Sequence, residues 1–188
     1  PEVVQSNYHS VTNWYSAYLE TYLNKDLRDI KDIGNLRDFR RFLNLLAANT
    51  AQILNMSSYA NNLGISVPTI KSWLSVLEAS YIIFLLPPYY QNYGKRIIKS
   101  PKIYFYDTGI VSYLTAVDTY AQSQRGSMAG SLFENYVISE ILKKEKHSNT
   151  HAELYYYRAS DGLEVDLIVD RKQYKELIEI KKGSSFSV

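Results

Sequence analysis

Two strand-like stretches late in the chain carry a polar pattern that constrains the fold more than any other feature. Residues 164–169 read Glu-Val-Asp-Leu-Ile-Val and residues 177–181 read Leu-Ile-Glu-Ile-Lys, and both alternate polar with apolar positions as half-buried strands do. Side chains two apart on a strand share a face, so Glu179 and Lys181 point the same way. If the two strands are neighbours, Asp166, Glu179 and Lys181 gather at one edge of a sheet.

These residue types have the chemistry of a magnesium site. Asp166 and Glu179 offer oxygen ligands to Mg²⁺, and Glu134, in an upstream helical stretch, completes the metal shell. Lys181 would position a nucleophilic water or stabilise developing charge. The pattern predicts metal-dependent phosphodiester hydrolysis with Asp166, Glu179 and Lys181 as catalytic residues. The alternative is that these are ordinary solvated charges on amphipathic strands.

Residues 57–77 predict a helix-turn-helix. Ser57 is suited to cap a short helix that ends at Leu63, and Gly64 supplies a left-handed residue after it. Ser66 is suited to cap the next helix, whose first turn tolerates Pro68. In that helix the apolar residues recur at the spacing of one buried face, which consists of Ile70, Trp73, Leu74 and Leu77. The outward residues, which a recognition helix turns to the major groove of DNA, are Thr69, Lys71, Ser72 and Ser75.

Two strand-like stretches, residues 81–86 and 102–106, follow the helix-turn-helix and give the layout of a winged helix. A basic aromatic loop joins them. Its cations predict a wing that binds DNA phosphates, and they are Lys95, Arg96, Lys99 and Lys102. Two alternatives stay open, because helix-turn-helix units also serve as packing or protein-binding devices and a cationic loop can be merely solvated.

Helical spacing predicts three further helices, and a change in composition predicts a domain boundary. The helices are Trp14–Ile30, capped by Thr12 or Asn13, then Asn35–Ala48, and Gly130–Leu142. The inner face of the last one consists of Leu132, Phe133, Tyr136, Val137 and Ile141. Between residues 107 and 129 the chain turns polar, which favours a loop or linker. We expect an N-terminal domain over residues 1–117 and a second over 118–188.

Composition excludes several classes of site. The chain has no cysteine, which excludes disulfides, thiol catalysis and cysteine-ligated zinc. The three histidines, His9, His147 and His151, have no convincing metal-ligand spacing. A net charge of +2 favours no partner, so nucleic-acid binding must come from local patches. The longest apolar run, Ile82–Leu86, is too short to span a bilayer and no signal peptide opens the chain, which predicts a cytoplasmic protein without membrane contact.

Several of these segments, taken together, resemble a known family. They are Tyr22–Leu27, Ser57–Leu77, the Ser-Pro-Lys-Ile-Tyr-Phe-Tyr-Asp-Thr-Gly run at 100–109, the Phe-Glu-Asn-Tyr-Val run at 133–137, Tyr157–Arg158, Glu164–Asp166 and Ile178–Lys181. In this order they resemble the C-terminal region of a bacterial and archaeal AAA+ ATPase family, with a domain of unknown function of the 4143 type. The most specific pieces are the runs at 101–109 and 133–137.

That resemblance implies an α/β (α+β) fold, with a winged helix-turn-helix followed by a PD-(D/E)XK restriction-endonuclease-like domain with a mixed sheet. It also implies DNA and the family's ATPase domain as partners, and it leaves an oligomer open. No Gly-x4-Gly-Lys-Ser/Thr loop occurs, so ATP is expected to bind only a domain outside this chain. The chain reads as a C-terminal fragment, shortened after Lys181. A non-catalytic DNA-binding or protein-interaction module that regulates the ATPase is the alternative to a nuclease.

Overall fold

The computed structural model of the chain describes residues 11–23, 35–89, 100–148, 150–159 and 162–183. Over these ranges the fold mixes seven helices with two small antiparallel sheets. The helices are α1 (Val11–Thr21), α2 (Leu36–Ala48), α3 (Met56–Leu63), α4 (Val67–Ala79), α5 (Thr108–Leu114), α6 (Tyr120–Arg125) and α7 (Ala129–His147). The strands are β1 (Ile83–Leu86), β2 (Lys102–Phe105), β3 (Glu153–Arg158), β4 (Glu164–Asp170) and β5 (Lys175–Ile178).

The turn between α3 and α4 forms for the reasons that its sequence indicates. Gly64 ends α3 in the left-handed conformation, with a φ of 68°, which glycine adopts without a Cβ penalty. The Ser66 side chain accepts a hydrogen bond from the Thr69 backbone N–H and so caps α4. The predicted cap of α3 is wrong, because the side chain of Asn55, and not that of Ser57, accepts a hydrogen bond from the Ser58 N–H.

Helices α2 to α4 pack around one apolar core. The four predicted stripe residues of α4 are all buried. Helix α2 begins as predicted, since Asn35 caps it by accepting from the backbone N–H groups of Arg37 and Asp38. Its Phe39 and Phe42 rings meet the indole of Trp73 with centroids 5.3 and 5.5 Å apart. Burial of these aromatic faces fixes the helices against each other.

The β1–β2 hairpin lies between two apolar cores. On one face Ile83, Ile103 and Phe105 join the core of α2–α5. On the other face Phe84 and Tyr104 join a second core, formed with α7 and the three-stranded sheet. Alternate residues of one strand point to opposite faces, so a hairpin with two apolar faces becomes a central layer of the fold. Both predicted strands form, although β1 begins at Ile83 and not at residue 81.

The second sheet has the order β3-β4-β5, with antiparallel pairing throughout. Its described strands therefore differ from the mixed sheet that was predicted. Parallel pairing occurs only as a bridge between Pro88 and Tyr156 within the described ranges. There the Tyr156 N–H donates to the Pro87 carbonyl at 3.0 Å, and the Tyr89 N–H donates to the Tyr156 carbonyl at 2.6 Å. The segment after β1 thus covers the outer edge of β3.

The prediction of a loop or linker between residues 107 and 129 is wrong, because two short helices lie there. Asp107 caps α5 by accepting from the Gly109 N–H. Thr119 caps α6 in a reciprocal capping box with Gln122. Local hydrogen bonds of this kind satisfy the unpaired N–H groups in the first turn of each helix, so a short helix can form even in a polar stretch.

The predicted inner face of α7 is wrong at two positions. Phe133 and Tyr136 are 37% and 54% exposed, whereas Asn135, Ile138 and Ser139 are buried. The helix also runs further than predicted, to His147. Its orientation follows from Asn135, whose amide forms hydrogen bonds to the backbone of β2 and so turns a polar residue inward.

Helix α1 begins at Val11, before the capping positions Thr12 and Asn13 that were predicted. The remainder of that predicted helix, residues 24–30, lies outside the described residues. Across the described ranges, every helix is too short or too polar to cross a membrane.

Candidate functional site

A buried lysine and three acidic side chains meet where β2, α7 and β4 come together. The Lys102 ammonium lies 3.2 Å from Glu134 Oε1, 2.8 Å from Glu164 Oε1 and 4.0 Å from Asp166 Oδ1. Only 4% of Lys102 is exposed. A buried ammonium is stable only when it is paired and hydrogen-bonded. We call these four residues the Lys102 cluster.

The periodicities of the two strands and the helix place these groups. Glu164 and Asp166 are two apart on β4 and share the face toward Lys102. Lys102 and Tyr104 are likewise two apart on β2, and the Tyr104 hydroxyl donates to Glu134 Oε1 at 2.6 Å. The Tyr156 ring lies 5.6 Å from the Lys102 ammonium, within cation–π range. The cluster thus joins the hairpin, α7 and the second sheet.

Burial and charge act on the titration of the cluster in opposite directions. Burial alone lowers the pKa of Lys102, but the charges of Glu134 and Glu164 and their hydrogen bonds outweigh it and hold that pKa above its ordinary value. Burial raises the pKa of Glu134, against the opposing effects of Lys102 and Tyr104. Burial, followed by the Glu134 charge, raises the pKa of the Tyr104 hydroxyl. Lys102 therefore stays charged at neutral pH and remains the cation of the cluster.

Asp166 has a second role at the end of β5. Its Oδ2 accepts a hydrogen bond from the Ile180 N–H at 2.8 Å. The β4–β5 ladder ends with the pair Leu167 and Ile178, so Asp166 continues the attachment through its side chain. This bond holds residues 179–181 near the sheet after regular pairing has stopped.

Glu179 and Lys181 lie on the outside, away from the Lys102 cluster. The Lys181 ammonium is 3.5 Å from Glu179 Oε1, and the two side chains are 77% and 52% exposed. An ion pair this exposed contributes little stability. The structure therefore brings Glu134 and Asp166 together around Lys102 and leaves Glu179 and Lys181 paired with each other.

The donor set of the cluster has the oxygen chemistry of a magnesium site, but its present arrangement fits an ammonium. Lys102 supplies the positive charge that Glu134 and Glu164 share, at hydrogen-bonding distances. Over the described part of the chain, no three His, Asp or Glu side chains form a group suited to hold a metal ion. An octahedral Mg²⁺ shell would need the position that the ammonium fills. As arranged, Glu134 and Glu164 serve as partners of the Lys102 ammonium.

The predicted nucleic-acid residues fall into three groups. On α4, Lys71 and Ser75 are exposed, while Thr69 and Ser72 are half-buried, and the Thr69 hydroxyl bonds the Ser66 hydroxyl at 2.7 Å. The wing cations Lys95, Arg96 and Lys99 lie outside the described residues. Lys102 is buried in ion pairs, in contrast to the exposed phosphate contact expected of a wing residue.

Sequence reasoning missed Tyr104, Glu164 and Tyr156 as members of this site and assigned Lys102 another role. The signal was present in part, since Glu164 precedes Asp166 by two positions and Tyr104 follows Lys102 by two. Nothing in the spacing indicates that β2 lies against β4, however. That contact depends on how the two sheets pack.

Asn135, next to Glu134, ties α7 to β2 from within the core. Its Oδ1 accepts from the Phe105 N–H at 2.8 Å and from the Thr50 hydroxyl at 2.6 Å, and its Nδ2 donates to the Phe105 carbonyl at 2.9 Å. The amide thereby pairs both backbone groups of a buried strand residue. The run Phe-Glu-Asn-Tyr-Val thus holds one residue of the Lys102 cluster and one anchor of the helix that carries it.

Two family models match the chain, and the first spans well over half of it. Residues 1–121 match a domain of unknown function, DUF8612. The chain belongs to this family. Residues 129–187 match a second domain of unknown function, DUF4143, which bears out the part of the resemblance that concerns this domain.

Two curated relatives of this chain extend well beyond the region that matches it. The uncharacterized protein Rv2008c of Mycobacterium tuberculosis and the uncharacterized protein Mb2031c of Mycobacterium bovis are each 28% identical over 175 residues. The alignment covers 93% of this chain and 39% of each relative, so the chain spans about two fifths of their length. No solved structure gives a significant match.

Proposed function

We propose that this chain is a non-catalytic DNA-binding module that regulates an ATPase domain located elsewhere in the full-length protein. The observation that carries the proposal is the Lys102 ammonium between Glu134 and Glu164, with Asp166 at 4.0 Å. Acidic residues that a nuclease would use for metal binding serve here as partners of a buried lysine. The nuclease-like sheet is then a scaffold.

Electrostatics support a structural role for this lysine. A buried ammonium that loses its carboxylates is strongly destabilised, so a metal ion that recruited Glu134 and Asp166 would also have to offset the isolation of Lys102. The remaining predicted catalytic groups, Glu179 and Lys181, form an exposed pair with each other. The four predicted side chains therefore fail to converge on one solvent-accessible point, which favours the scaffold.

The region α3–α4 supports the DNA-binding part of the proposal. Gly64 and the Ser66 cap form a tight turn between two helices, and the second helix buries one face completely. Lys71 and Ser75 stand on its exposed face, where a recognition helix places its contacts. A lysine and hydroxyls at these positions suit phosphates and base edges of duplex DNA.

Duplex binding measured by fluorescence anisotropy tests this proposal. Lys71→Ala combined with Ser75→Ala is expected to weaken binding, and loss of one phosphate contact should reduce the salt slope by about 0.9 log unit. Lys143→Ala is the matched control, because it removes an exposed helix cation that pairs with Glu140. Unchanged duplex affinity and salt slope in the α4 variant would contradict DNA binding by this helix.

A metal-dependent nuclease is the second candidate, favoured by one specific observation. Two of its three predicted metal ligands, Glu134 and Asp166, do lie around a single cation position, the Lys102 ammonium. A movement of Lys102 would then open the position to Mg²⁺. The test is cleavage of labelled DNA with Mg²⁺ or Mn²⁺ by the wild type and by Asp166→Asn. Cleavage that Asp166→Asn abolishes would establish the nuclease and reject the non-catalytic module.

A further inference from the structure

An open cavity lies between α6 and the segment that follows β5, apart from the Lys102 cluster. Its volume is about 720 Å³, inside the range of roughly 300–1,000 Å³ that ligand pockets span. One wall is a single face of α6, and the other consists of Lys182 and Gly183. The lining residues are Tyr120, Ala121, Gln124, Arg125, Lys182 and Gly183.

The lining is cationic, and the sequence explains why. Arg125 and Lys182 contribute two positive charges, and none of the lining residues is acidic. The two walls come from described stretches without any Asp or Glu, residues 119–133 and 180–183. Among the described residues, neither Arg125 nor Lys182 takes part in an ion pair with a carboxylate. Two unneutralised cations facing one cavity attract an anion.

Local structure holds the Lys182 side chain and the backbone of α6 in place. The Lys182 ammonium donates a hydrogen bond to the Ser123 carbonyl, which ties the chain after β5 to α6. The capping box of Thr119 and Gln122 fixes the first turn of α6, and Arg125 stands in its last turn. The anchoring of residues 179–181 by Asp166 acts from the other side. An anion therefore meets a lysine whose position is already restricted, beside a helix whose first turn is fixed.

Tyr120 adds an aromatic surface to the same wall. It is 82% exposed, so packing does not account for its orientation. Exposed aromatic rings next to cations are the means by which proteins bind single-stranded nucleic acid, with bases on the rings and phosphates on the cations. Tyr120 precedes Gln124 by four residues and therefore shares its helical face.

From this combination we propose that the cavity binds a single-stranded nucleic acid, with a phosphate between Arg125 and Lys182 and a base stacked on Tyr120. The site is separate from the α4 surface proposed for duplex DNA. A failure of single-strand binding at α6 would therefore not contradict duplex binding at α4, and the reverse also holds.

The probe is a fluorescein-labelled oligothymidylate of about 12 nucleotides, a length within the range of single-strand site sizes, and the readout is anisotropy at several salt concentrations. Arg125→Gln with Lys182→Gln should weaken binding and reduce the salt slope by up to about 1.4 log units, from roughly 0.7 per phosphate contact. Tyr120→Ala should weaken binding by about fivefold to 150-fold, the effect of one lost stacked base, and leave the salt slope unchanged. Tyr120→Phe should bind like the wild type.

Reciprocal controls separate the two surfaces. The α4 variant Lys71→Ala/Ser75→Ala should retain oligothymidylate binding, and the α6 variants should retain duplex binding and a wild-type circular dichroism spectrum. Unchanged oligothymidylate affinity and salt slope in Arg125→Gln/Lys182→Gln overturns the site. If that variant loses binding of inorganic phosphate while Tyr120→Ala binds oligothymidylate normally, the cavity holds a simple anion and the nucleic-acid assignment is also overturned.

Discussion

Replacing Lys102 with methionine removes the cation of the Lys102 cluster while keeping most of the side-chain volume. Coulomb's law at an effective dielectric constant of about 20 gives about 5 kcal/mol of attraction for a pair at the 3.2 Å that separates Lys102 from Glu134. Desolvation cancels much of that attraction in the intact protein. The substitution, however, removes the lysine from both carboxylates. Glu134 then keeps the Tyr104 hydroxyl, and Glu164 keeps the Arg158 guanidinium at 3.8 Å. Breaking a buried pair costs about 3–5 kcal/mol.

The accessibility of the partners places the expected value at the lower end of that range. The side chain of Lys102 is 5% exposed, whereas those of Glu134 and Glu164 are 18% and 32% exposed. Water reaches Glu164 in part and screens its charge, so we expect Lys102→Met to lower the free energy of unfolding by about 3 kcal/mol at neutral pH. Urea unfolding monitored by tryptophan fluorescence measures the change.

The loss should shrink as the pH falls. Burial already raises the pKa of Glu134, and the Lys102 charge opposes this effect. Removing the lysine therefore raises that pKa further. A carboxyl with a raised folded-state pKa favours the folded state below its unfolded pKa and disfavours it as the pH rises through the folded pKa. Lys102→Met should thus be most destabilising at neutral pH and less so in acid.

Lys143→Met is the matched control. Lys143 pairs with Glu140 at 2.7 Å on the surface of α7, with side chains 37% and 51% exposed, so its loss should cost no more than about 0.5 kcal/mol. A Lys102→Met loss below about 1 kcal/mol would refute the structural role of the cluster. Repeating the titration with Mg²⁺ separates the two proposed functions, because stabilisation of Lys102→Met by the metal, absent from Lys102→Met/Asp166→Asn, would indicate a latent metal site.

Two further predictions concern α7 away from the cluster. Asn135→Leu leaves the N–H and carbonyl of buried Phe105 without partners and should lower the free energy of unfolding in urea by about 2–5 kcal/mol. Tyr136→Leu, on the exposed face of α7, should lower it by less than about 1 kcal/mol. Equal effects of the two substitutions would contradict the anchoring role of Asn135. Hydrogen bonds from Arg171, then from Thr150, lower the pKa of Glu145. Its ionised form therefore stabilises the fold above the unfolded-state pKa, and this is lost as the pH falls through the folded-state pKa. The stability difference between wild type and Glu145→Gln should decline below about pH 4, near the ordinary Glu pKa, and a pH-independent difference would contradict this role.

Local chemistry explains why much of the secondary structure is predictable from the sequence. Gly64, Ser66 and Asn35 act as helix-terminal residues because their own backbone or side chain satisfies the adjacent peptide groups. The apolar stripe of α4 records which face of that helix is buried. These signals lie within a few residues of the structure that they determine, so no knowledge of the remaining fold is needed.

The same local reasoning fails where a polar residue is turned inward by a distant partner. Asn135 is buried because it pairs with Phe105, thirty residues away. That pairing rotates α7 so that Phe133 and Tyr136 face outward, against the pattern of apolar positions. Hydrophobicity alone assigns the wrong face in such a helix.

The sequence by itself determined that Glu134 and Asp166 stand on a helix and a strand of one sheet-bearing region, and that Lys102 begins a strand. Only the tertiary structure decided that β2 packs against β4, which places the Lys102 ammonium among the carboxylates and excludes Glu179 and Lys181 from the group. The physical reason is that a buried charge selects its partners by distance in space. That distance depends on the packing of the two sheets, which strand periodicity does not encode.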